Sequence, residues 1–96
     1  MPGPAAGHAP VKIYIRHGCG YCGAAERLLR EKGIGFEKID VTGDRAARTW
    51  LATATGQYTV PQIFIGGRSV GGYSELKALD RAGELDGWLF PALPPR

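Results

Sequence analysis

Cys19-Gly20-Tyr21-Cys22 contains both cysteines of the 96-residue chain, separated by two residues. This stretch lies between a run of alternating apolar residues and a run with helical periodicity. Two sulfurs at this spacing, in a turn that opens a helix, can close a small disulfide ring. The first sulfur would lie beside the unpaired N–H groups of the helix start, where a negative charge is favoured. We therefore expect Cys19 to act as a thiolate, the form that attacks disulfides.

Three interpretations of the cysteine pair compete. A structural zinc site would need four ligands, and besides the two sulfurs the chain offers only His8 and His17. A permanent disulfide would stabilise the fold little, because the loop that it closes is so short. A redox-active dithiol is the favoured interpretation, because a C-x-x-C motif between a strand and a helix is typical of redox proteins.

Composition limits the class of protein. A chain of 96 residues, of which 44% are apolar, predicts one small domain with a modest core. The net charge is +3, but the basic residues are scattered, so we expect no nucleic-acid partner. The absence of an export signal and of a membrane-spanning stretch predicts a cytoplasmic protein with transient disulfides. We expect a disordered tail at 1–10, a domain at 11–90 and a second tail at 91–96.

Periodicity and turn residues predict the element order β-α-β-α-β-β-α. The first two strands, joined by a helix, should be parallel, and Gly66-Gly67 should join the last two as a β-hairpin. This order predicts an α/β fold in which one four-stranded mixed sheet carries helices on both faces. The predicted strands are 11–16, 36–41, 63–65 and 68–70; the predicted helices are 23–32, 44–56 and 74–83, followed by a helical turn at 85–89.

Side-chain chemistry predicts caps and ion pairs in the helices. The side chains of Asp44 and Ser74 accept hydrogen bonds, so each should cap the free N–H groups at the start of its helix. The predicted ion pairs, on the solvent face of the first helix, are Glu26–Arg30 and Arg27–Glu31.

Four motifs in this order resemble those of glutaredoxins, from about residue 11 to residue 89. They are the C-x-Y-C centre, the Thr59-Val60-Pro61 segment, the run 61–65 and Gly71-Gly72 before the last helix. Thioredoxins, the nearest rival family, usually carry Trp-Cys-Gly-Pro-Cys, whereas here Tyr21 stands at the place of that proline. The resemblance implies a thioredoxin-like fold. It also implies a dithiol enzyme that uses glutathione to reduce protein disulfides and protein–glutathione mixed disulfides.

The resemblance further implies a groove for glutathione. Arg16 and Gln57 match residues that lie near its glycine carboxylate, and Tyr21 would flank the bound tripeptide. Glutathione would then be both cosubstrate and binding partner.

The middle of the groove would be formed by Thr59, Val60 and Pro61, of which Thr59 and Val60 bind the cysteinyl backbone as a strand does. A proline that opens a central strand is out of place unless it serves a special backbone geometry. We therefore expect a cis bond between Val60 and Pro61, which turns the backbone of Val60 toward the sulfurs.

The far end of glutathione would meet the start of the last helix. Gly72, Tyr73 and Ser74 match residues that contact the γ-glutamyl carboxylate, and a helix start is a natural anion site. Two positions depart from the family pattern, because Tyr73 often corresponds to a cysteine and Glu75 stands where an aspartate is common.

In the implied mechanism, Cys19 attacks the sulfur of a glutathionylated protein and retains the glutathione, which a second glutathione removes. With protein disulfides, Cys22 attacks the mixed disulfide on Cys19 and closes the intramolecular bridge. The partners would be glutathione and proteins that carry disulfides or bound glutathione, and the enzyme would be a monomer.

A second class of function is a carrier of a [2Fe-2S] cluster. Most dithiol glutaredoxins have proline at the position of Gly20, whereas relatives that assemble a cluster often have glycine or serine. In such a homodimer, Cys19 of each chain and two bound glutathione molecules would supply four sulfur ligands. A third class, a redox-inert binding module, would need both thiols to be buried and unreactive, which their place in a loop argues against.

Overall fold

A computed structural model of the chain describes residues 8–90, in which four strands form one mixed sheet. The elements in chain order are β1 (Val11–Ile15), α1 (Gly20–Glu31), β2 (Glu37–Asp40), α2 (Arg45–Thr55), β3 (Gln62–Ile65), β4 (Arg68–Gly71), α3 (Tyr73–Arg81) and α4 (Leu85–Leu89). The strand order is β2-β1-β3-β4. β1 and β2 are parallel, while β3 is antiparallel to both β1 and β4. The predicted α/β class, element order and strand directions are confirmed.

Alternation along β1 directs its side chains to the two faces of the sheet. Val11 and Ile13 are buried in the main core, which α1, α3 and α4 cover. Tyr14 points to the other face, where its ring lies 5.8 Å from that of Trp50 in α2 and 5.6 Å from that of Phe64 in β3. Helices therefore cover both faces, as predicted.

Helix α1 begins at Gly20, three residues before the predicted start. The cause is Cys19, whose sulfur acts as the N-cap and accepts a hydrogen bond of 3.2 Å from the Cys22 N–H. The second cysteine of the motif consequently lies inside the first turn of the helix and not in the preceding loop.

The predicted ion pairs of α1 are only partly confirmed. Glu26 does pair with Arg30, at 3.0 Å, but Glu26 is only 8% exposed, so its placement on the solvent face was wrong. Lys38 of β2 also approaches the same carboxylate oxygen, at 3.5 Å, and both basic groups offset the cost of burying its charge. Arg27 and Glu31 form no ion pair within residues 8–90.

The caps of the later helices show one prediction confirmed and one wrong. Asp44 caps α2, because its Oδ1 accepts a hydrogen bond of 3.0 Å from the Ala47 N–H. Ser74 does not cap α3, because the N-cap is Gly72, two residues earlier, and Ser74 lies inside the helix. The carboxylate of Glu75 reaches back instead and accepts a hydrogen bond of 2.7 Å from the Gly72 N–H.

Two glycines make the predicted hairpin between β3 and β4. Gly66 and Gly67 both have positive φ, 59° and 83°, the combination that a two-residue turn of this kind requires. The chain before β1 is attached to the same region, because Pro10 O accepts a hydrogen bond of 2.8 Å from the Gly66 N–H. Ala9 N–H donates to Leu89 O at 2.7 Å.

The predicted tails lie mostly outside the described residues, at 1–7 and 91–96. Residues 8–10, which the sequence places in the first tail, are bonded to the domain as just described. Over the part of the chain that the structure describes, no helix has the length and apolar character to cross a membrane.

Candidate active site

The two cysteines lie at the junction of β1 and α1, with both thiols free. Cys19 is partly exposed, whereas Cys22 is buried. The Cys19 thiol donates a hydrogen bond of 3.4 Å to Val60 O, while its sulfur accepts the Cys22 N–H. Cys19 is therefore the one of the two thiols that a substrate in solvent can reach. The geometry thus fits Cys19 as the attacking sulfur.

Cys22 has the opposite environment. Burial raises the pKa of its thiol from the ordinary 9.0 to about 12, and the hydrogen bond with Cys19 adds to that effect. The nearby charges of Cys19 and Glu26 act in the same direction, while a backbone hydrogen bond with Arg16 opposes them. Cys22 therefore remains a protonated thiol at neutral pH and needs a proton acceptor in order to attack.

A groove of about 300 Å³ passes beside the cysteine turn. Eight of the nine residues predicted to bind glutathione line it, and Glu75 lines it as well. The predicted eight are Tyr21, Gln57, Thr59, Val60, Pro61, Gly72, Tyr73 and Ser74. The structure therefore brings together, at one face of the molecule, residues that are spread over more than half of the chain.

The walls of the groove are held by packing between its own residues. The rings of Tyr21 and Tyr73 stack with centroids 5.9 Å apart, which connects the cysteine turn to the start of α3. The Val60–Pro61 bond is cis, as predicted. A Cβ on Gly72 would lie 3.3 Å from Pro61 O, so a larger residue there would press on the floor of the groove.

Gln62 is a site residue that the sequence did not single out. Its side chain is fully buried, and its amide nitrogen donates to Gln57 Oε1 at 2.8 Å and to Thr59 O at 2.9 Å. It thereby holds two residues of the groove wall from behind. The signal was present in the sequence as a polar residue inside an otherwise apolar central strand.

Arg16 is the one predicted binding residue that does not line the groove. It lines a second cavity, of about 200 Å³, with Arg45, Arg48, Thr49 and Tyr58. Arg16 and Gln57 therefore line two adjoining cavities, and their common contact with the glycine carboxylate stays a prediction.

His17 connects the cysteine turn to the end of β2. Its Nε2 lies 3.0 Å from Asp40 Oδ2, and its backbone N–H donates to Thr42 Oγ1 at 2.8 Å. Hydrogen bonds from Thr42, and to a lesser extent the neighbouring His17, lower the pKa of the Asp40 carboxyl. The pair is exposed to solvent, so its contribution is to orient the turn.

Comparison with known proteins agrees with this geometry. The family model for glutaredoxins matches residues 11–70. The chain belongs to the glutaredoxin family. A glutaredoxin of Pseudomonas aeruginosa is 48% identical over 80 residues, which cover 83% of this chain and 95% of that protein. Glutaredoxin 3 of Escherichia coli is 42% identical over 78 residues, or 81% of this chain and 94% of its own length.

Solved structures of glutaredoxins share the same architecture. The solution structure of glutaredoxin from Brucella melitensis has a TM-score of 0.80 and 39% identity, and the match covers 94% of this chain and 98% of that one. The crystal structure of a buckwheat glutaredoxin–glutathione complex has a TM-score of 0.78 and 30% identity, covering 84% and 76%. The thioredoxin-like fold is confirmed. This glutaredoxin is a thiol–disulfide oxidoreductase.

Proposed function

We propose that this glutaredoxin uses glutathione to reduce protein disulfides and protein–glutathione mixed disulfides. The observation that carries the proposal is the groove beside Cys19, lined by backbone and side chains suited to a tripeptide. The buckwheat relative, which has the same fold, was crystallised as a complex with glutathione.

The cysteinyl and γ-glutamyl parts of the tripeptide both have counterparts in the groove. Thr59 and Val60 line the groove, and Val60 O accepts the hydrogen bond from Cys19, so the backbone of these two residues pairs with the cysteinyl residue. At the start of α3 the Gly72 N–H is already bonded to Glu75, so the N–H groups of Tyr73 and Ser74 bind the γ-glutamyl carboxylate. The Glu75 carboxylate, which also lines the groove, stabilises the γ-glutamyl ammonium.

The reaction proceeds through two exchanges of sulfur partners. The Cys19 thiolate attacks the glutathione sulfur of a glutathionylated protein, the protein leaves as a thiol, and glutathione stays on Cys19. A second glutathione thiolate then attacks that mixed disulfide, which releases oxidised glutathione and restores the Cys19 thiolate. With a protein disulfide, the Cys19 thiolate first attacks one of its sulfurs, which releases the other as a thiol and leaves the protein bound to Cys19. Cys22 then loses its proton and attacks the sulfur of Cys19, so that the second protein thiol leaves and the Cys19–Cys22 bridge forms. Two glutathione molecules reduce this bridge and become oxidised glutathione.

A peptide carrying glutathione on one cysteine tests this function. With the purified chain, deglutathionylation should depend on the concentration of glutathione, and oxidised glutathione should accumulate in equal molar amount. Turnover that proceeds with thioredoxin reductase alone, and without glutathione, would contradict the proposal.

A cluster-bridged homodimer is the second candidate, and one observation favours it. A Cβ on Gly20 would meet no atom within 4 Å, so the space beside the partly exposed Cys19 is open to a second chain. Residues 8–90 contain no group of three or more His, Cys, Asp or Glu side chains placed to hold a metal. A [2Fe-2S] cluster would therefore take one thiolate from Cys19 of each chain and two from bound glutathione.

Anaerobic reconstitution with iron, sulfide and glutathione tests the carrier function. The expected product is a brown dimer that becomes a colourless monomer when glutathione is removed. The matched variant is Gly20→Pro, which fits the first position of α1 but fills the open space, and it should assemble less cluster. A wild type that stays colourless and monomeric would exclude the carrier function.

A further inference from the structure

Three arginines meet in a cavity that the proposed reaction does not use. Arg16 follows the end of β1, and Arg45 and Arg48 lie one turn apart on α2. With Thr49 and Tyr58 they line the space of about 200 Å³ already described. Three guanidinium groups around one concave surface repel each other unless an anion lies between them.

None of these arginines is neutralised within the described part of the chain. Among residues 8–90 there is no ion pair to Arg16, to Arg45 or to Arg48. The two nearest carboxylates in sequence have other partners, because Asp40 binds His17 and the Thr42 N–H, and Asp44 caps α2. The cavity therefore has an uncompensated positive charge.

The arginine cavity adjoins the glutathione groove. Tyr58, whose side chain is 90% exposed, lines the cavity, while its two chain neighbours Gln57 and Thr59 line the groove. Arg16, which also lines the cavity, stands three residues before Cys19. An anion bound in the cavity would therefore lie next to a glutathione molecule, and outside the groove that holds it.

We propose that Arg45 and Arg48, together with Arg16, bind a side-chain carboxylate of the glutathionylated protein substrate, close to its modified cysteine. This inference rests on the proposed function. Guanidinium groups bind carboxylates through paired hydrogen bonds, and three of them exceed what one glycine carboxylate of glutathione requires. The exposed ring of Tyr58 gives the aliphatic part of a glutamate or aspartate a surface to pack on. The cavity thus selects protein substrates with acidic neighbours.

Three substrates and two double variants test the inference. The substrates are a glutathionylated peptide with glutamates beside the cysteine, the same peptide with glutamines, and the small mixed disulfide of glutathione and 2-mercaptoethanol. Arg45→Gln/Arg48→Gln removes two charges from the cavity. Arg27→Gln/Arg81→Gln removes two charges from exposed positions on α1 and α3, across the sheet from α2, and controls for net charge.

The wild type should prefer the glutamate peptide by about fivefold in kcat/KM, the effect expected of two exposed ion pairs. The cavity variant should lose that preference, with the small mixed disulfide and the KM for glutathione unchanged, and the control variant should retain it. Added salt should reduce the preference of the wild type, because exposed charges are screened.

Two outcomes would contradict the proposal that the arginine cavity binds a carboxylate of the protein substrate. One is equal kcat/KM for the two peptides in the wild type. The other is an equal loss with the small mixed disulfide, which would mean that the arginines bind glutathione itself. Binding of the fluorescent glutamate and glutamine peptides, measured by anisotropy without turnover, separates the two proposals. A wild type that binds the glutamate peptide preferentially but reduces no disulfide would refute the proposed function and leave the subsite standing.

Discussion

Gln62 Nε2 donates a hydrogen bond of 2.8 Å to Gln57 Oε1, so a fully buried residue of β3 orients an exposed residue of the groove wall. The bond occupies the Gln57 oxygen and leaves its amide N–H groups as the donors that this side chain can offer in the groove. Gln62 Oε1, in turn, has no hydrogen-bond partner within residues 8–90. Gln62 therefore orients the groove wall, while its unpartnered oxygen adds no hydrogen bond to the core.

Gln62→Leu should separate binding from folding. We expect the KM for glutathione to rise about fivefold, because one neutral hydrogen bond that orients the wall is lost. The free energy of unfolding should change by less than about 1 kcal/mol, because leucine also removes a buried carbonyl that lacks a partner. Glutathione titrations and urea unfolding measure the two effects. A large loss of stability with an unchanged KM would show that Gln62 is a core residue only.

The two cysteines should differ in the substrates that depend on them. Cys19→Ser should abolish all reduction, because the partly exposed N-cap sulfur is the proposed nucleophile. Cys22→Ser should keep activity toward glutathionylated peptides, where glutathione itself resolves the mixed disulfide, and lose activity toward protein disulfides. Parallel assays with both substrate types test this, and an equal loss in both variants would contradict the assignment.

Stability should depend on alkaline pH through Cys22. Its pKa in the folded state is raised from 9.0 to about 12, so the unfolded chain loses this proton first. Below pH 9.0 the contribution to folding is fully present, and it is lost progressively as the pH rises toward about 12. Unfolding free energies in reducing buffer should therefore fall more steeply over this range for the wild type than for Cys22→Ala. If the unfolding free energies of the wild type and of Cys22→Ala fall equally with pH, the raised pKa of the Cys22 thiol is contradicted.

Gln57 and Arg16 should contribute unequally to the binding of glutathione. Gln57 lines the groove and Arg16 lines the neighbouring cavity, so Gln57→Ala should raise the KM for glutathione more than Arg16→Ala does. The comparison uses the small mixed disulfide, which has no acidic neighbours. If Arg16→Ala has the larger effect, the carboxylate of glutathione reaches into the arginine cavity.

Local sequence chemistry was sufficient for much of the fold. The hairpin follows from Gly66-Gly67, because two positive φ angles in succession exclude most other residues. The cap of α2 follows from Asp44 for an equally local reason. The cap of α3 was missed, because Ser74 and Glu75 can both cap a helix and only the backbone path at Gly72 decides between them.

The site shows where sequence reasoning is insufficient. Matching positions to a family places Arg16 and Gln57 in one list, but the direction of a side chain depends on what packs behind it. Gln57 is fixed by a buried partner from β3, and Arg16 lines a cavity together with two arginines of α2 that no family motif had indicated. The surroundings of both side chains therefore depend on contacts between segments that are distant in the sequence.

The unequal burial of the two thiols has a practical consequence for spectroscopy. Cys19 is open to solvent and Cys22 is closed inside α1, so a maleimide dye added to the native chain attaches at a single position without any engineering. The attached dye would stand at the mouth of the groove, beside Tyr21, where its emission reports on whatever enters. Cys19 is therefore a natural site for a fluorescent label. If the chain is unfolded in the presence of the same dye, Cys22 should react as well, so the number of dye molecules per chain should rise from one to two.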